Sequence, residues 1–284
     1  MNANYQPVVL AIKNWLEFAL GELKRAGIDS ARLDAEIILA HSMKKSRTYL
    51  HAHIEEVLDE RTKEIANARL ALRLDHVPIA YIIGHKEFYG RQFKVTTATL
   101  IPRPESEAMI ELLKEFIPVE QSLFSDNKIK LVDIGTGSGC LGITAKLEIP
   151  ELDVTLIDIS SQALTIAKQN ISALNADVST IKSDLLSEYP FTPDIIVANL
   201  PYVDTSWNRS IETNHEPEIA LFASQGGLSL INKLITQADN VMKSSGLLIL
   251  EADTRQHDEI IKYALKSNFA LVKTLGFCLA LTKN

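Results

Sequence analysis

The sequence predicts an α/β fold: a largely parallel, seven-stranded sheet with helices on both faces, preceded by a small helical bundle. Three observations predict it. From Lys128 onward, short apolar runs alternate with helical stretches, which is the pattern of a parallel sheet with crossover helices. The run Lys130–Ile134 leads directly into a glycine-rich turn, as where a strand feeds a helix across a ligand crevice. The first ~75 residues instead carry apolar positions at three- and four-residue spacing, the signature of packed helices.

Taken in order, Val9, Ile12, Leu16, Ala19, Leu20 and Leu23 make one apolar stripe, and Gly27 after Lys24-Arg25 is a helix stop. Ser30 is positioned to cap a second helix with the apolar face Leu33, Ile37 and Ile38. A third helix is expected over Ile54 to Leu74, with Pro78 as its terminator. Residues 1–77 are therefore assigned to a helical bundle, 78–107 to a hairpin linker and 108–284 to the α/β domain. In the linker, Glu87 to Val95 alternates around Gly90 and suits a hairpin. Ile101-Pro102-Arg103-Pro104-Glu105 is a rigid turn, with Arg103 and Glu105 expected as a bracing ion pair and a helix following from Glu105 to Phe116. Strands are expected at Lys130–Ile134, Asp153–Ile157, Ser179–Lys182, Asp194–Ala198 and Leu247–Glu251, and helices at Cys140–Leu147, Ser161–Ala173 and Leu228–Met242. Phe269 to Lys283, broken at Gly276, reads as a closing antiparallel hairpin.

Composition narrows the function classes. The chain has 284 residues, 46% hydrophobic and 23% charged, as in a soluble globular protein. A net charge of -7 argues against broad binding to nucleic acid, which needs phosphate neutralisation. The two cysteines, Cys140 and Cys278, give neither a disulfide framework nor a metal-ligand cluster. No secretory signal and no membrane-spanning run is evident, so a cytoplasmic location is expected.

The turn Asp133-Ile134-Gly135-Thr136-Gly137-Ser138-Gly139 lets the backbone approach a ligand closely. Asp158 ends the next strand, where a carboxylate can accept hydrogen bonds from both ribose hydroxyls of a nucleoside cofactor. Asp184 follows the third strand, where the base of such a cofactor would lie, although an Asp after a strand is often only a turn former or helix cap. This makes the domain Rossmann-like. Gly137 to Gly142 also matches the dinucleotide fingerprint G-x-G-x-x-G, so a NAD enzyme competes. Asp133 weighs against it, because a carboxylate there repels a pyrophosphate and suits a cationic amino-acid group.

Asn199-Leu200-Pro201-Tyr202 follows the fourth strand. An amide nitrogen is a poor nucleophile, and its attack on an activated methyl needs position and polarisation. The Asn199 side-chain oxygen and the Leu200 carbonyl offer two acceptors for an NH2 group and favour the positive charge that develops on it. Tyr202 offers a ring for its flat face, and Pro201 stiffens the turn. With the glycine turn upstream, this points to methyl transfer onto nitrogen.

The chain resembles the PrmC/HemK family of protein-glutamine N5-methyltransferases. Asp29 to Glu36, Pro78 to Gly84, Glu87 to Gly90, Leu100 to Glu107 and His215 to Leu221 look like its motifs. The resemblance implies a class I methyltransferase domain and S-adenosylmethionine as methyl donor. Asp133, Gly135, Thr136, Gly137, Ser138 and Gly139 would surround its amino-acid end, Asp158 its ribose, and Asp184 and Leu185 its adenine, with Asn199 bordering cofactor and substrate. It further implies that Asn199, Leu200, Pro201 and Tyr202 hold the glutamine of the Gly-Gly-Gln loop in class I peptide chain release factors. The helical domain would help grip that partner, with the enzyme a monomer. Glu216 is expected to fix the loop after the turn. Leu200 departs from the family's usual Asn-Pro-Pro-Tyr, though Pro201 still biases Leu200 towards extended geometry. Two other readings remain: methylation of an exocyclic base amine of DNA or RNA, and a non-catalytic cofactor-binding partner module.

Overall fold

A computed structural model of the chain describes residues 10–117 and 128–284, so Val9 lies outside the described residues. The chain divides into two compact units, Met1–Gly84 with Ile211–His215, and His85–Ser210 with Glu216–Asn284. The division at Gly84 falls within the stretch expected as a linker. Among the described residues no helix is long and apolar enough to cross a membrane.

The first unit contains α1 (Ile12–Arg25), α2 (Ala31–Met43), α3 (Arg47–Ala52), α4 (Glu60–Leu74) and α5 (Ile79–Ile83). Its core is built by Ile12, Trp15, Ala19 and Leu23 of α1 against Ile38 and Leu39 of α2 and Leu70 of α4. Trp15 is fully buried, and its indole N–H donates to Asn67 at 2.8 Å.

Three expectations are corrected here. The third helix starts at Glu60, not Ile54, because the Asp59 side chain accepts from the Thr62 N–H and caps it there. The short helix α3 precedes it, capped by Ser46 on the Tyr49 N–H. Ser30 caps no backbone group: its hydroxyl donates to the Asp34 carboxylate at 2.7 Å. Leu33 is exposed, because α2 turns Asp34 inward instead, where it pairs with Arg73 at 2.7 Å.

The second unit opens with the hairpin β1 (His85–Phe88) and β2 (Arg91–Lys94), turned at Tyr89-Gly90 with both φ positive. After α6 (Glu107–Phe116) come β3 (Lys130–Ile134), α7 (Cys140–Glu148), β4 (Asp153–Asp158), α8 (Ser161–Leu174), β5 (Val178–Lys182) and β6 (Ile195–Ala198). The chain closes with α9 (Ser229–Val241), β7 (Leu247–Glu251), α10 (His257–Lys266), β8 (Phe269–Leu275) and β9 (Cys278–Lys283). The seven-stranded sheet runs β5-β4-β3-β6-β7-β9-β8, with every strand in one direction except β9, which is antiparallel to both β7 and β8 and forms the expected hairpin with β8.

Strand alternation feeds two cores. Leu131, Val197 and Ile249 face α6, α7 and α8 through Met109, Ile143 and Ala167. Val132, Ile196 and Leu250 face α9 and α10 through Ile231, Leu234 and Ile260. Burial on both faces explains why these strands read as continuous apolar runs rather than alternating ones. Successive strands leave β3 in opposite directions, so β3 and β6 are neighbours across the point where strand order reverses. Ligands bind at the carboxyl ends of strands at such a point.

Candidate active site

The loops after β3, β4, β5 and β6 line one cavity of about 360 Å³. Of the residues singled out from sequence, Gly135, Thr136, Gly137, Ser138, Asp158, Asp184, Leu185, Asn199, Leu200 and Pro201 all line it, whereas Asp133, Gly139 and Tyr202 do not. The two motifs meet within it: a Cβ on Gly135 would stand 3.0 Å from the Leu200 side chain.

The glycine turn is held from below. Gly135 and Thr136 N–H groups donate to the Ile157 carbonyl at 2.8 and 2.9 Å. Asp133 is buried beneath them, its Oδ2 accepting from the Thr136 hydroxyl at 2.6 Å and from the Gly142 N–H at 2.9 Å. Its Oδ1 has no partner among the described residues. Burial pushes the Asp133 pKa from 3.8 up to about 6, against the pull of those donors. Gly142, the last residue of the dinucleotide-like spacing, presses α7 onto the sheet, since a Cβ there would lie 2.2 Å from the Leu156 side chain.

Asp158 accepts from the Gly137 N–H at 2.9 Å and the Ser160 N–H at 2.8 Å. Burial raises its pKa despite both bonds. Asp184 takes an ion pair from Lys233 at 2.5 Å, and both side chains border the cavity. Leu185 sits at φ 53°, an unusual conformation for a leucine, and lines the wall next to it.

In the Asn-Leu-Pro-Tyr turn, Asn199 Nδ2 donates to the Ser106 hydroxyl at 3.0 Å. Leu200 is buried and joins the core on the α9 side of the sheet. The Tyr202 ring packs against that same core, and its hydroxyl donates to Glu251 Oε1 at 3.1 Å. Burial and the Glu251 charge raise the Tyr202 pKa strongly, so it remains a neutral phenol at ordinary pH.

Ser106, Glu251, Gln256 and Lys233 complete this region and carry no site role in the sequence reading. Glu251 carries a readable signal: it is an acid ending an apolar strand. In the β6–β7 register Ala198 pairs with Leu250, so Asn199 and Glu251 follow side by side. Arg103 pairs with Glu216 rather than with Glu105, and Glu216 Oε2 also accepts from the Ile101 N–H at 3.1 Å. Buried Glu216 thus ties the loop after the turn to the proline-rich segment, which is its expected role.

Residues 14–84 match the family described as PrmC N-terminal domain, and residues 111–215 that described as methyltransferase small domain. A release factor glutamine methyltransferase of Koribacter versatilis is 37% identical over 247 residues, which cover 85% of this chain and 86% of that one. A bifunctional methyltransferase of Rickettsia bellii is 33% identical over 92% of this chain, which spans about half (52%) of that relative. Among solved structures, the T. thermophilus 16S rRNA N2 G1207 methyltransferase in complex with AdoMet and guanosine shares the fold at a TM-score of 0.50 and 16% identity, covering 70% of this chain and 50% of that one. By its identity to the Koribacter relative across most of both lengths, the chain belongs to the release factor glutamine methyltransferase family.

Proposed function

We propose that the protein transfers the methyl group of S-adenosylmethionine to the side-chain amide nitrogen, N5, of the glutamine in the Gly-Gly-Gln motif of class I peptide chain release factors, supporting translation termination. The observation that carries this reading is the convergence of the glycine turn and Asn199 on one cavity. The residues fit the cofactor. The unpartnered Asp133 Oδ1 supplies negative charge beneath the turn for a cationic amino-acid end, and Asp158 keeps lone pairs for two hydroxyls. Leu185 and Asp184 offer a wall for the base.

When bound, S-adenosylmethionine supplies a methyl group activated by its sulfonium. The protein contributes position and electrostatics. Asn199 Oδ1 accepts one N–H of the target amide and the Leu200 carbonyl accepts the other, which aims the nitrogen and favours its developing positive charge. No general base is required before transfer, because the nitrogen becomes acidic only afterwards. The turn keeps its backbone acceptor with Leu200 in place of proline, and burial of that side chain supplies an anchor.

The net charge of -7 and the family both support a protein substrate over a nucleic acid. A monomeric, cytoplasmic enzyme completes the reading, as does a role for the helical unit in gripping the release factor. Incubation with methyl-labelled S-adenosylmethionine and a release factor is expected to label the Gly-Gly-Gln glutamine. Label that persists after that glutamine is changed to alanine sinks the assignment.

A further inference from the structure

The mechanism requires that Asn199 present its oxygen, not its NH2 group, to the target. An asparagine amide can turn over by 180° with little change in shape, so something must hold it. Resting on the function proposed above, we infer that Ser106 and Glu251 are positioning residues that set which arm of the Asn199 amide faces the cavity.

Three observations combine. Asn199 Nδ2 is committed to Ser106 Oγ at 3.0 Å, and both residues line the cavity. Ser106 accepts that bond and so has its own hydroxyl proton to give. Glu251 lies beside both, only 2% exposed and off the cavity wall, with Oε1 taken by Tyr202 and Oε2 lacking a partner. An ionised carboxylate only accepts. The side of Asn199 and Ser106 turned towards it must therefore offer hydrogens, and the Asn199 oxygen is left on the other arm. Burial raises the Glu251 pKa, while the polar groups of Ser106, Tyr202 and Asn199 beside it pull it back. The same carboxylate holds the Tyr202 hydroxyl, so one buried anion orients both polar side chains of the turn.

The alternative is that Ser106 and Glu251 merely fill space. The two cases separate in full-length variants. Ser106→Ala and Glu251→Gln are each expected to lower kcat on a release factor about tenfold, with S-adenosylmethionine affinity changed less than about twofold. Because both act on one amide orientation, the double variant is expected to be no slower than the worse single one. Ser106→Thr, which keeps the hydroxyl, is expected to retain kcat. Losses that multiply in the double variant, or a Ser106→Ala enzyme as fast as wild type, overturn the inference. If Glu251→Gln does not fold, the Ser106→Ala and Ser106→Thr pair carries the test. A readout without substrate keeps it independent of the proposed function. The Asn199 side-chain amide resonances, assigned by their loss in Asn199→Ala, should shift in Ser106→Ala. Unchanged resonances there refute the role whether or not a release factor is methylated.

Discussion

Gln256 Nε2 donates to the Tyr202 carbonyl at 2.8 Å and to the Gly226 carbonyl at 2.7 Å, tying the end of the Asn-Leu-Pro-Tyr turn to the segment before α10. Gly227 fits this junction because it has φ +86° and because a Cβ there would lie 2.0 Å from the Tyr202 oxygen. Gly227→Ala is therefore expected to cost ~2–4 kcal/mol by backbone strain and clash, and Gln256→Ala ~1–2 kcal/mol by loss of paired bonds. Urea unfolding measures both. The order Gly227→Ala worse than Gln256→Ala is the outcome to check.

Asn199→Ala removes the side-chain acceptor for the target nitrogen. Turnover is expected to fall ~100-fold, on the scale of removing one preorganised hydrogen-bonding group at a reacting centre. S-adenosylmethionine affinity should change less than about threefold, because the glycine turn and Asp158 remain. Calorimetric titration alongside single-turnover kinetics separates the two effects. Unchanged turnover contradicts this role for Asn199, whereas a partner affinity that barely changes, with no turnover in either protein, favours the non-catalytic binding module.

Asp133 makes stability depend on pH. Its folded pKa, about 6, lies above the 3.8 of a free side chain, so the fold prefers the protonated form. The stability this group contributes is full below its unfolded pKa and is lost as pH rises through about 6. The whole shift corresponds to ~3 kcal/mol at most. Asp133→Asn does not titrate. Between pH ~7 and ~5 the melting temperature of wild type is expected to rise relative to that variant. A constant difference across this range contradicts the assignment.

In the helical unit, Arg73 pairs with Asp34 at 2.7 Å, with both side chains 3% exposed, and reaches Glu212 at 2.5 Å. Arg73→Ala leaves Asp34 buried and uncompensated, at an expected cost of ~3–5 kcal/mol. The double variant Asp34→Ala, Arg73→Ala should be less destabilised than the sum of the two single ones. Hydrogen exchange is expected to show faster opening of Ile211–His215 once the Glu212 bond is gone.

Much of the fold was legible because strands buried on both faces leave continuous apolar runs, and helices leave stripes. The glycine turn, Asp158 and the Asn-Leu-Pro-Tyr turn were legible because each is local chemistry at a strand end. Ser30 and the start of α4 turn on local side-chain bonds, Ser30 to Asp34 and the Thr62 N–H to Asp59, whereas Leu33 turns on a contact distant in sequence. The Asp34–Arg73 pair joins residues 39 positions apart and rotates α2 so that an acid, not a leucine, faces inward. Arg103 was assigned its nearest acid in sequence, whereas folding brings Glu216 to it from 113 positions away.

By itself, the sequence determined the order of the two motifs, the chemistry each can perform and the helical unit that precedes them. It did so because strand ends, turns and helix stripes are dictated by neighbours within a few residues. The tertiary structure decided that both motifs line one cavity, since only the pairing of β3 with β6 brings Leu200 against Gly135. It also decided which side chains hold Asn199. Ser106 and Glu251 lie 93 and 52 positions from it, and only the packing of the sheet and its loops brings them together.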